Sequence, residues 1–217
     1  MGEDKILKKR ADILEAAIDV FAEKGYYATK ISDIAAILKM GHGTFYRYFK
    51  NKFDIFNAIA DDLIAQVGLV VADEVPTGSN DAAAYRDQIY RIGKGLFGIF
   101  MKDPRIFRIA FYELLGVDAT LNDKLETAMK LFDLYTEAYL KNGVEKKFLK
   151  PNLDTAVLAR AINSMIFISC KAVLEAEDKE ETFHRWMDAV TLLMLDGMAV
   201  PVNSYCDHPR DGRSQRG

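Results

Sequence analysis

Residues 29–53 read TKISDIAAILKMGHGTFYRYFKNKF and predict two short helices joined by a tight turn. Thr29 can cap the first helix, because a threonine oxygen accepts the free N–H groups of a first helical turn. The apolar residues of this helix fall on one inner face, which consists of Ile31, Ile34, Ala35 and Leu38. A break at residues 40–43 precedes the second helix, which we expect to end near Lys50. Such a pair has the layout of a helix-turn-helix.

The second helix of the pair is predicted to have one buried and one exposed face. At 100° per residue, Phe45 and Phe49 lie within about 40° of each other and should pack inward. The outward-facing residues are then Thr44, Arg47 and Tyr48, with Tyr46 on the flank. Gly41 and Gly43 should let the preceding turn take backbone angles that are closed to other residues.

The charge of this stretch indicates an anionic partner. From Lys39 to Phe53 there are four lysines and arginines and no acidic residue. Phosphate is the natural partner of such a face, since helix starts add free N–H groups to the positive charge. The alternative is an ordinary solvated helix pair in which the aromatic residues only pack.

The first 53 residues and the remainder of the chain carry charges of opposite sign. The 217 residues have a net charge of −3, yet 10 basic and 7 acidic residues occur through Phe53, and 19 basic and 25 acidic residues follow. Two cysteines are too few for a disulfide framework and fit a reducing compartment. The apolar runs are shorter than the roughly 18 residues of a membrane span, so we expect a cytoplasmic protein without a membrane partner.

The remainder of the chain repeats its apolar residues at helical spacing, which predicts an all-α fold of about nine helices. Asn51, Asp103 and Asp178 are candidate N-caps. Outside the pair described above, we expect helices over residues 6–24, 82–102, 104–115, 119–141, 153–177 and 180–195, and a further long helix that begins after Asn51.

Between Arg10 and Asp54 the chain has a set of residues at fixed spacing: Ile13-Leu14-x-Ala16-Ala17, Phe21, Gly25-Tyr26, Ala28-Thr29, Asp33-Ile34-Ala35 and the run GTFYRYFKNK at 43–52. In these motifs it resembles the amino-terminal DNA-binding domain of the TetR family of transcriptional repressors. Two departures occur. The family's usual Ala-Gly before the turn is Leu38-Lys39 here, and its frequent serine at the start of the recognition helix is Gly41.

The resemblance implies a DNA-binding domain over residues 1–52 and an effector-binding and dimerisation domain over residues 53–200. Residues 201–217 are polar and are expected to be a disordered tail. The protein would then be a homodimeric repressor that a small molecule releases from a palindromic operator in double-stranded DNA.

The resemblance also implies individual DNA contacts. Tyr46 and Lys52 would hold the DNA backbone, Lys30 would add a further contact, and Gly43 would permit close approach. Thr44 and residues near His42 and Arg47 would approach bases. From its helical position alone, His42 can equally cap or pack.

The body of the chain is rich in aromatic residues and methionine, most of which must form the core. The resemblance implies a pocket for an apolar effector among them. The candidate lining residues are Phe97, Phe100, Met101, Phe107, Phe111, Tyr112, Phe132, Tyr135 and Met165.

The last two predicted helices carry more apolar residues than the single stripe that packing against one core requires. This excess suggests a partner, and the resemblance implies a two-fold dimer through a four-helix bundle. The candidate interface residues are Ile162, Phe183, Trp186, Met187, Val190, Leu193 and Met194, with burial in the chain's own core as the alternative.

Enzymatic activity has little support in the sequence. Residues 93–98 (GKGLFG) satisfy GxGxxG, but a helical pattern precedes them where a dinucleotide site needs a strand. His42, His184 and His208 are scattered, so we expect no metal and no cofactor. A helical adaptor that binds protein would explain the bundle but not the acid-free stretch.

Overall fold

A computed structural model describes residues 3–113 and 117–198 of the chain. Within these ranges the regular structure is helical, which confirms the predicted all-α fold. Nine α-helices are described, namely Glu3–Lys24 (α1), Ile31–Ile37 (α2), His42–Phe45 (α3), Lys52–Ala72 (α4), Ala82–Lys102 (α5), Pro104–Arg108 (α6), Ala119–Glu145 (α7), Thr155–Glu175 (α8) and Lys179–Met198 (α9). A π-turn, Ile109–Glu113, directly continues α6. We call α1–α3 the head and α5–α9 the body; α4 connects them.

Three helix starts lie where the sequence predicts them. The Asn51 side chain accepts the N–H of Asp54 at 2.8 Å, and the Asp103 side chain accepts the N–H of Arg105 at 3.0 Å. The Asp178 side chain accepts the N–H of Glu181 at 2.9 Å. These contacts satisfy N–H groups that a helix start leaves without an intrahelical partner, so local sequence fixes all three starts.

The helix-turn-helix differs from its prediction at both helices. Thr29 does not cap α2, because its hydroxyl donates to the Gly25 carbonyl at 2.6 Å and Lys30 is the N-cap. The second helix, α3, ends at Phe45 and not near Lys50. The hydrogen-bond pattern after Phe45 includes bonds that span three residues instead of four: the N–H of Tyr48 donates to the Phe45 carbonyl at 2.9 Å.

The turn between α2 and α3 obtains its geometry from a different residue than predicted. Gly41 has φ −73 and Gly43 lies inside α3, so neither adopts angles closed to other residues. Lys39, with φ 49, takes the left-handed conformation instead. The described glycine with a positive φ is Gly25, at φ 78 after α1.

One hydrophobic core joins the head to the body through α4. The ring of Phe56 in α4 lies 5.1 Å from the ring of Phe21 and 4.7 Å from that of Tyr26. The same cluster continues into Phe97 of α5 and Phe107 of α6. The first turns of α4 therefore pack as part of the head, and a domain boundary at residue 52 stays a prediction.

Two helices are long and apolar enough, by length and composition, to cross a membrane. Both α4 and α8 have 21 residues and an 18-residue window with a mean hydropathy of 1.6. This finding differs from the expectation based on uninterrupted apolar runs. Each helix packs apolar side chains into the core, including Phe56 of α4 and Ile162 of α8. Core helices of water-soluble proteins commonly share these features.

The GxGxxG stretch lies inside a single helix, α5, where two of its glycines contact neighbouring helices. A Cβ atom on Gly93 would lie 2.7 Å from the Cε of Met187 in α9. A Cβ atom on Gly95 would lie 2.6 Å from a methyl carbon of Val70 in α4. These glycines therefore allow close helix packing, as expected of glycines in a helix without a preceding strand.

Candidate nucleic-acid interface and effector cavity

Two buried phenylalanines pack the helix-turn-helix against the core. Phe45 and Phe49 are 0% and 1% exposed, as the periodicity predicts. Thr44, Tyr46 and Arg47 are exposed on the opposite side, whereas Tyr48 is half-buried. The aromatic anchors fix the orientation of α3, so the exposed side chains are held in place by the core.

The remaining residues implied as DNA contacts are also at the surface. Lys30 is exposed at the start of α2, and His42 is exposed as the first residue of α3. A Cβ atom on Gly43 would meet no atom within 4 Å, so the backbone is open to a close approach there. His42 therefore faces solvent and does not pack into the core.

Lys52, which the resemblance implies as a DNA-backbone contact, has hydrogen-bond partners within its own chain. Its ammonium donates to the carbonyls of Tyr26 at 2.7 Å, Thr29 at 3.1 Å and Tyr27 at 3.2 Å. It also lies 4.4 Å from the centre of the Tyr26 ring. An ammonium group has only three protons to donate, and these carbonyls accept all three. We therefore assign Lys52 a structural role in holding the loop before α2.

Arg10 positions the turn that follows α3, a role that the sequence does not predict. Its guanidinium lies 4.0 Å from the centre of the Phe49 ring and donates to the Tyr48 carbonyl at 2.9 Å. These contacts tie α1 to the turn that follows α3. A long-range contact of this kind has no local sequence signal, since the two partners are 38 residues apart.

Arg105, at the start of α6, makes polar contacts that join the body to α1. The Arg105 guanidinium donates to Glu15 at 2.7 Å and to Asp19 at 2.6 Å, both in α1, and to Asp103 at 2.7 and 2.9 Å. The hydrogen bonds from Arg105 hold the pKa of the Asp103 carboxyl below its usual value. One cation therefore links three carboxylates across the boundary between α6 and the head.

The π-turn also contacts the head directly. The Glu113 carboxylate accepts the N–H of Tyr26 at 2.9 Å. A Cβ atom on Gly25 would lie 3.0 Å from a Glu113 oxygen. Only glycine satisfies both this close approach and the positive φ at this position. The loop before α2 is thus held by Lys52 on one side and Glu113 on the other.

The body and α4 together surround a partly open apolar cavity of about 60 Å³. Helices α4, α5, α7, α8 and α9 contribute its wall, which includes Val71, Ile92, Phe132, Ile166 and Met194. Tyr85 donates its hydroxyl proton to the Tyr139 carbonyl at 3.0 Å, and Thr136 donates to the Asn163 side chain at 2.8 Å. Tyr139 donates to the Glu74 carbonyl, and burial raises the pKa of its phenol to about 12. These three hydroxyls are therefore committed to the protein itself.

Most of the residues predicted to line an effector pocket lie outside the wall of this cavity. Phe132 is in the cavity wall. Phe97, Phe100 and Phe107 are buried in the core that joins body and head. Met101 and Tyr135 are exposed, and Met165 packs against a separate group of buried residues of the body that includes Ile162 and Val190. The side chains of Phe111 and Tyr112 lie outside the described part of the structure.

The residues predicted to form a dimer interface divide into two groups. Ile162, Met187, Val190 and Met194 are buried against their own chain, and Phe183 and Trp186 are half-buried against its core. Leu193, by contrast, is 61% exposed. The exposed apolar residues of α8 and α9 therefore lie on the outer face of these helices, which also includes Val157, Ile168 and Leu192.

Comparison with known proteins gives related proteins for both parts of the chain. The family described as "Bacterial regulatory proteins, tetR family" matches residues 13–59, which cover the second half of α1, all of α2 and α3, and the first turns of α4. A transcriptional repressor of Mycobacterium tuberculosis is 42% identical over 66 residues, 30% of this chain and 35% of the repressor. The fatty acid metabolism regulator protein of Bacillus subtilis is 25% identical over 159 residues, 73% of this chain and 78% of that protein.

The fold extends over nearly the whole chain in a solved relative. The crystal structure of the regulator FadR of Bacillus subtilis, in complex with stearoyl-CoA, matches with a TM-score of 0.70 and 22% identity. The match covers 86% of this chain and 98% of that one. At this level of identity the likeness concerns the arrangement of helices.

Proposed function

We infer from the family match over residues 13–59 that this chain belongs to the TetR family of bacterial regulatory proteins, and from that premise we propose that it is a transcriptional repressor that an apolar effector releases from DNA. One observation carries the DNA-binding part: Thr44 in α3, and Tyr46 and Arg47 in the turn that directly follows it, are all exposed within an acid-free stretch that Phe45 and Phe49 anchor to the core. Exposed arginine and hydroxyl groups at such a position suit base edges and phosphates in the major groove. We propose no catalytic role, and we place the protein in the cytoplasm, where it can reach DNA.

We further propose that the protein acts as a two-fold dimer. The outer faces of α8 and α9 expose Val157, Ile168, Leu192 and Leu193, which are each more than half exposed. Val157 and Ile168 are 11 residues apart and therefore lie on the same face of α8. Pairing these faces would form a four-helix bundle and bury the exposed apolar surface. A palindromic operator would then present two half-sites about 34 Å apart to the two heads.

A fatty acyl chain is the effector that best suits the cavity. Its wall is mostly apolar, and the hydroxyls of Tyr85, Thr136 and Tyr139 already have acceptors. A hydrocarbon chain requires no hydrogen-bond donor and gains from burial along its whole length. The Bacillus subtilis relatives support this class, since one is a fatty acid metabolism regulator and a FadR structure contains stearoyl-CoA.

Binding of such a chain would be coupled to DNA binding through α4. The cavity volume of about 60 Å³ is below the roughly 300 Å³ of small ligand sites, so a long chain must separate the lining helices. Val71, in the last turn of α4, is part of that lining. Lys52, at the other end of α4 and about 30 Å away, holds the head loop. Displacement of α4 would therefore change the separation or orientation of the two heads.

Selection of duplexes from a random pool by the purified full-length protein tests the DNA-binding part. We expect enrichment of an inverted repeat whose half-site centres lie about 10 base pairs apart. Absence of any enriched sequence at low ionic strength would refute the proposed repressor.

Titration of the enriched duplex in the presence of stearoyl-CoA tests the effector class, with free coenzyme A as the control. Stearoyl-CoA should weaken DNA binding, and coenzyme A alone should not. Equal DNA affinity with and without stearoyl-CoA would refute the acyl effector and leave the DNA-binding function standing.

A further inference from the structure

Lys39 has a backbone conformation that lysine rarely adopts. Its φ is 49, and among the described residues the other non-glycine position with a positive φ is Lys147, at φ 63. Each of these lysines follows the C-cap of a helix, α2 for Lys39 and α7 for Lys147. Glycine is the usual residue at such positions, because the left-handed conformation brings a Cβ atom close to the backbone.

The hydrogen bonds at the end of α2 explain why the backbone needs this conformation. The N–H of Met40 donates to the Ala35 carbonyl at 3.0 Å, and the N–H of Lys39 donates to the Ala36 carbonyl at 3.1 Å. These bonds form a Schellman motif, which ends the helix by turning the chain through a left-handed residue. The motif requires the conformation but no side chain, so glycine at this position would avoid the strain.

The position of Lys39 gives its side chain a use at the DNA interface. Lys39 is exposed and lies two residues before Gly41, the N-cap of α3. In the part of the chain that the structure describes, its ammonium has no ion-pair partner, and it lies within residues 34–53, which contain no acidic residue. Its charge is therefore unopposed and sits beside the start of the recognition helix.

We propose that Lys39 is a DNA-backbone contact, whose ammonium binds a phosphate beside the major groove that α3 enters. The inference rests on the proposed DNA-binding function. The Lys39 side chain is exposed, and its flexible stem can follow a phosphate without altering α3. The cost in stability of a non-glycine residue is then offset by the DNA contact.

Three variants of the full-length protein test this contact against an enriched duplex, by fluorescence anisotropy over a range of salt concentrations. Lys39→Gly removes both the charge and the strain, Lys39→Arg keeps both, and Lys147→Gly removes the strain at the matched position far from the head. Both glycine variants should unfold at a temperature about 2 °C higher. Only Lys39→Gly should bind DNA several-fold more weakly and lower the salt slope, by about 0.9 for each protomer in contact. Lys39→Arg should bind as the wild type does.

An unchanged affinity and salt slope for Lys39→Gly would overturn the contact, and so would an equal loss of affinity for Lys147→Gly. The wild-type titration, measured first, tests the DNA-binding function itself. A wild-type protein that binds DNA, combined with an unaffected Lys39→Gly variant, refutes only the contact.

Discussion

Lys52 donates its three ammonium protons to the carbonyls of Tyr26, Tyr27 and Thr29, and thereby holds the loop that leads into α2. Arg10 has a comparable role at the other end of the helix-turn-helix, where it contacts Phe49 and the Tyr48 carbonyl. These two cations are part of the folded head, whereas Arg47 is exposed. Positive residues of the head therefore differ in function according to what their side chains contact.

Replacing Lys52 with methionine should lower the free energy of unfolding by about 2 kcal/mol, because charge-assisted hydrogen bonds to three carbonyls are lost. Urea denaturation measures this change, and Lys50→Met is the matched control, since Lys50 is exposed. The salt dependence of DNA binding should stay as in the wild type. A variant of unchanged stability whose salt slope falls by about 0.9 would show instead that Lys52 binds phosphate.

At the scale of helices, close packing in the body depends on two glycines of α5. Gly93 faces the flexible end of Met187, while Gly95 faces the branched side chain of Val70 in α4. A methionine tip can move to another rotamer, but a valine side chain is stiff at its first torsion. The two positions should therefore respond differently to the same added methyl group.

Gly95→Ala should destabilise the protein by about 1–3 kcal/mol through overpacking against α4. Gly93→Ala should change stability by less than about 1 kcal/mol, because alanine favours the helix and offsets the displacement of Met187. Met187 lines the cavity, so this second variant should also bind an acyl ligand more weakly. Thermal unfolding of both variants measures the difference, and equal destabilisation would contradict this account of the packing.

The polar contact between α6 and α1 depends on the ion pairs of Arg105 with three carboxylates. Arg105→Gln should lower the free energy of unfolding by about 1 kcal/mol at neutral pH, since the ion pairs are partly exposed. The pKa of Asp103 is depressed in the folded state, so its pairing contributes stability above the ordinary aspartate pKa and loses it as pH falls through the folded value. The difference in stability between wild type and variant should therefore shrink below about pH 4. A difference that stays constant from neutral pH to pH 3 would contradict this role.

Sequence reasoning predicts those elements whose causes are local. The orientation of Phe45 and Phe49 follows from helical periodicity, and the caps at Asn51, Asp103 and Asp178 follow from residues three positions apart or fewer. The ion pairs of Arg105 are different, because its partners in α1 are 86 and 90 residues away in the sequence. Long-range contacts of this kind have no periodic signal.

At the scale of the whole molecule, apolar residues of α8 and α9 serve two purposes that composition cannot separate. Met187 and Leu193 occur in one apolar helical pattern, yet the first is 6% exposed and the second 61%. Only the arrangement of α5, α8 and α9 decides which side chains fill the core. The same ambiguity explains why Phe97, Phe100 and Phe107, predicted as pocket residues, are core residues.

Leu193→Asp should convert the proposed dimer into a monomer, because a charge would be buried at the centre of the apolar interface. Light scattering on the eluted protein measures the mass, and Leu69→Asp, at an exposed leucine of α4, is the control that should remain dimeric. A Leu193→Asp protein with the mass of two chains would exclude the outer face of α9 from the interface.

The affinity of full-length protein for an enriched duplex, compared between wild type and Arg47→Ala, tests the central claim most directly. Arg91→Ala is the matched control, since Arg91 forms an exposed ion pair with Glu74 in the body. We predict that Arg47→Ala weakens binding by at least about ten-fold, as expected when an arginine contact worth 1–3 kcal/mol is lost, and that Arg91→Ala binds as the wild type does. Equal affinities for all three proteins would contradict a DNA interface on the exposed side of α3 and the turn that follows it.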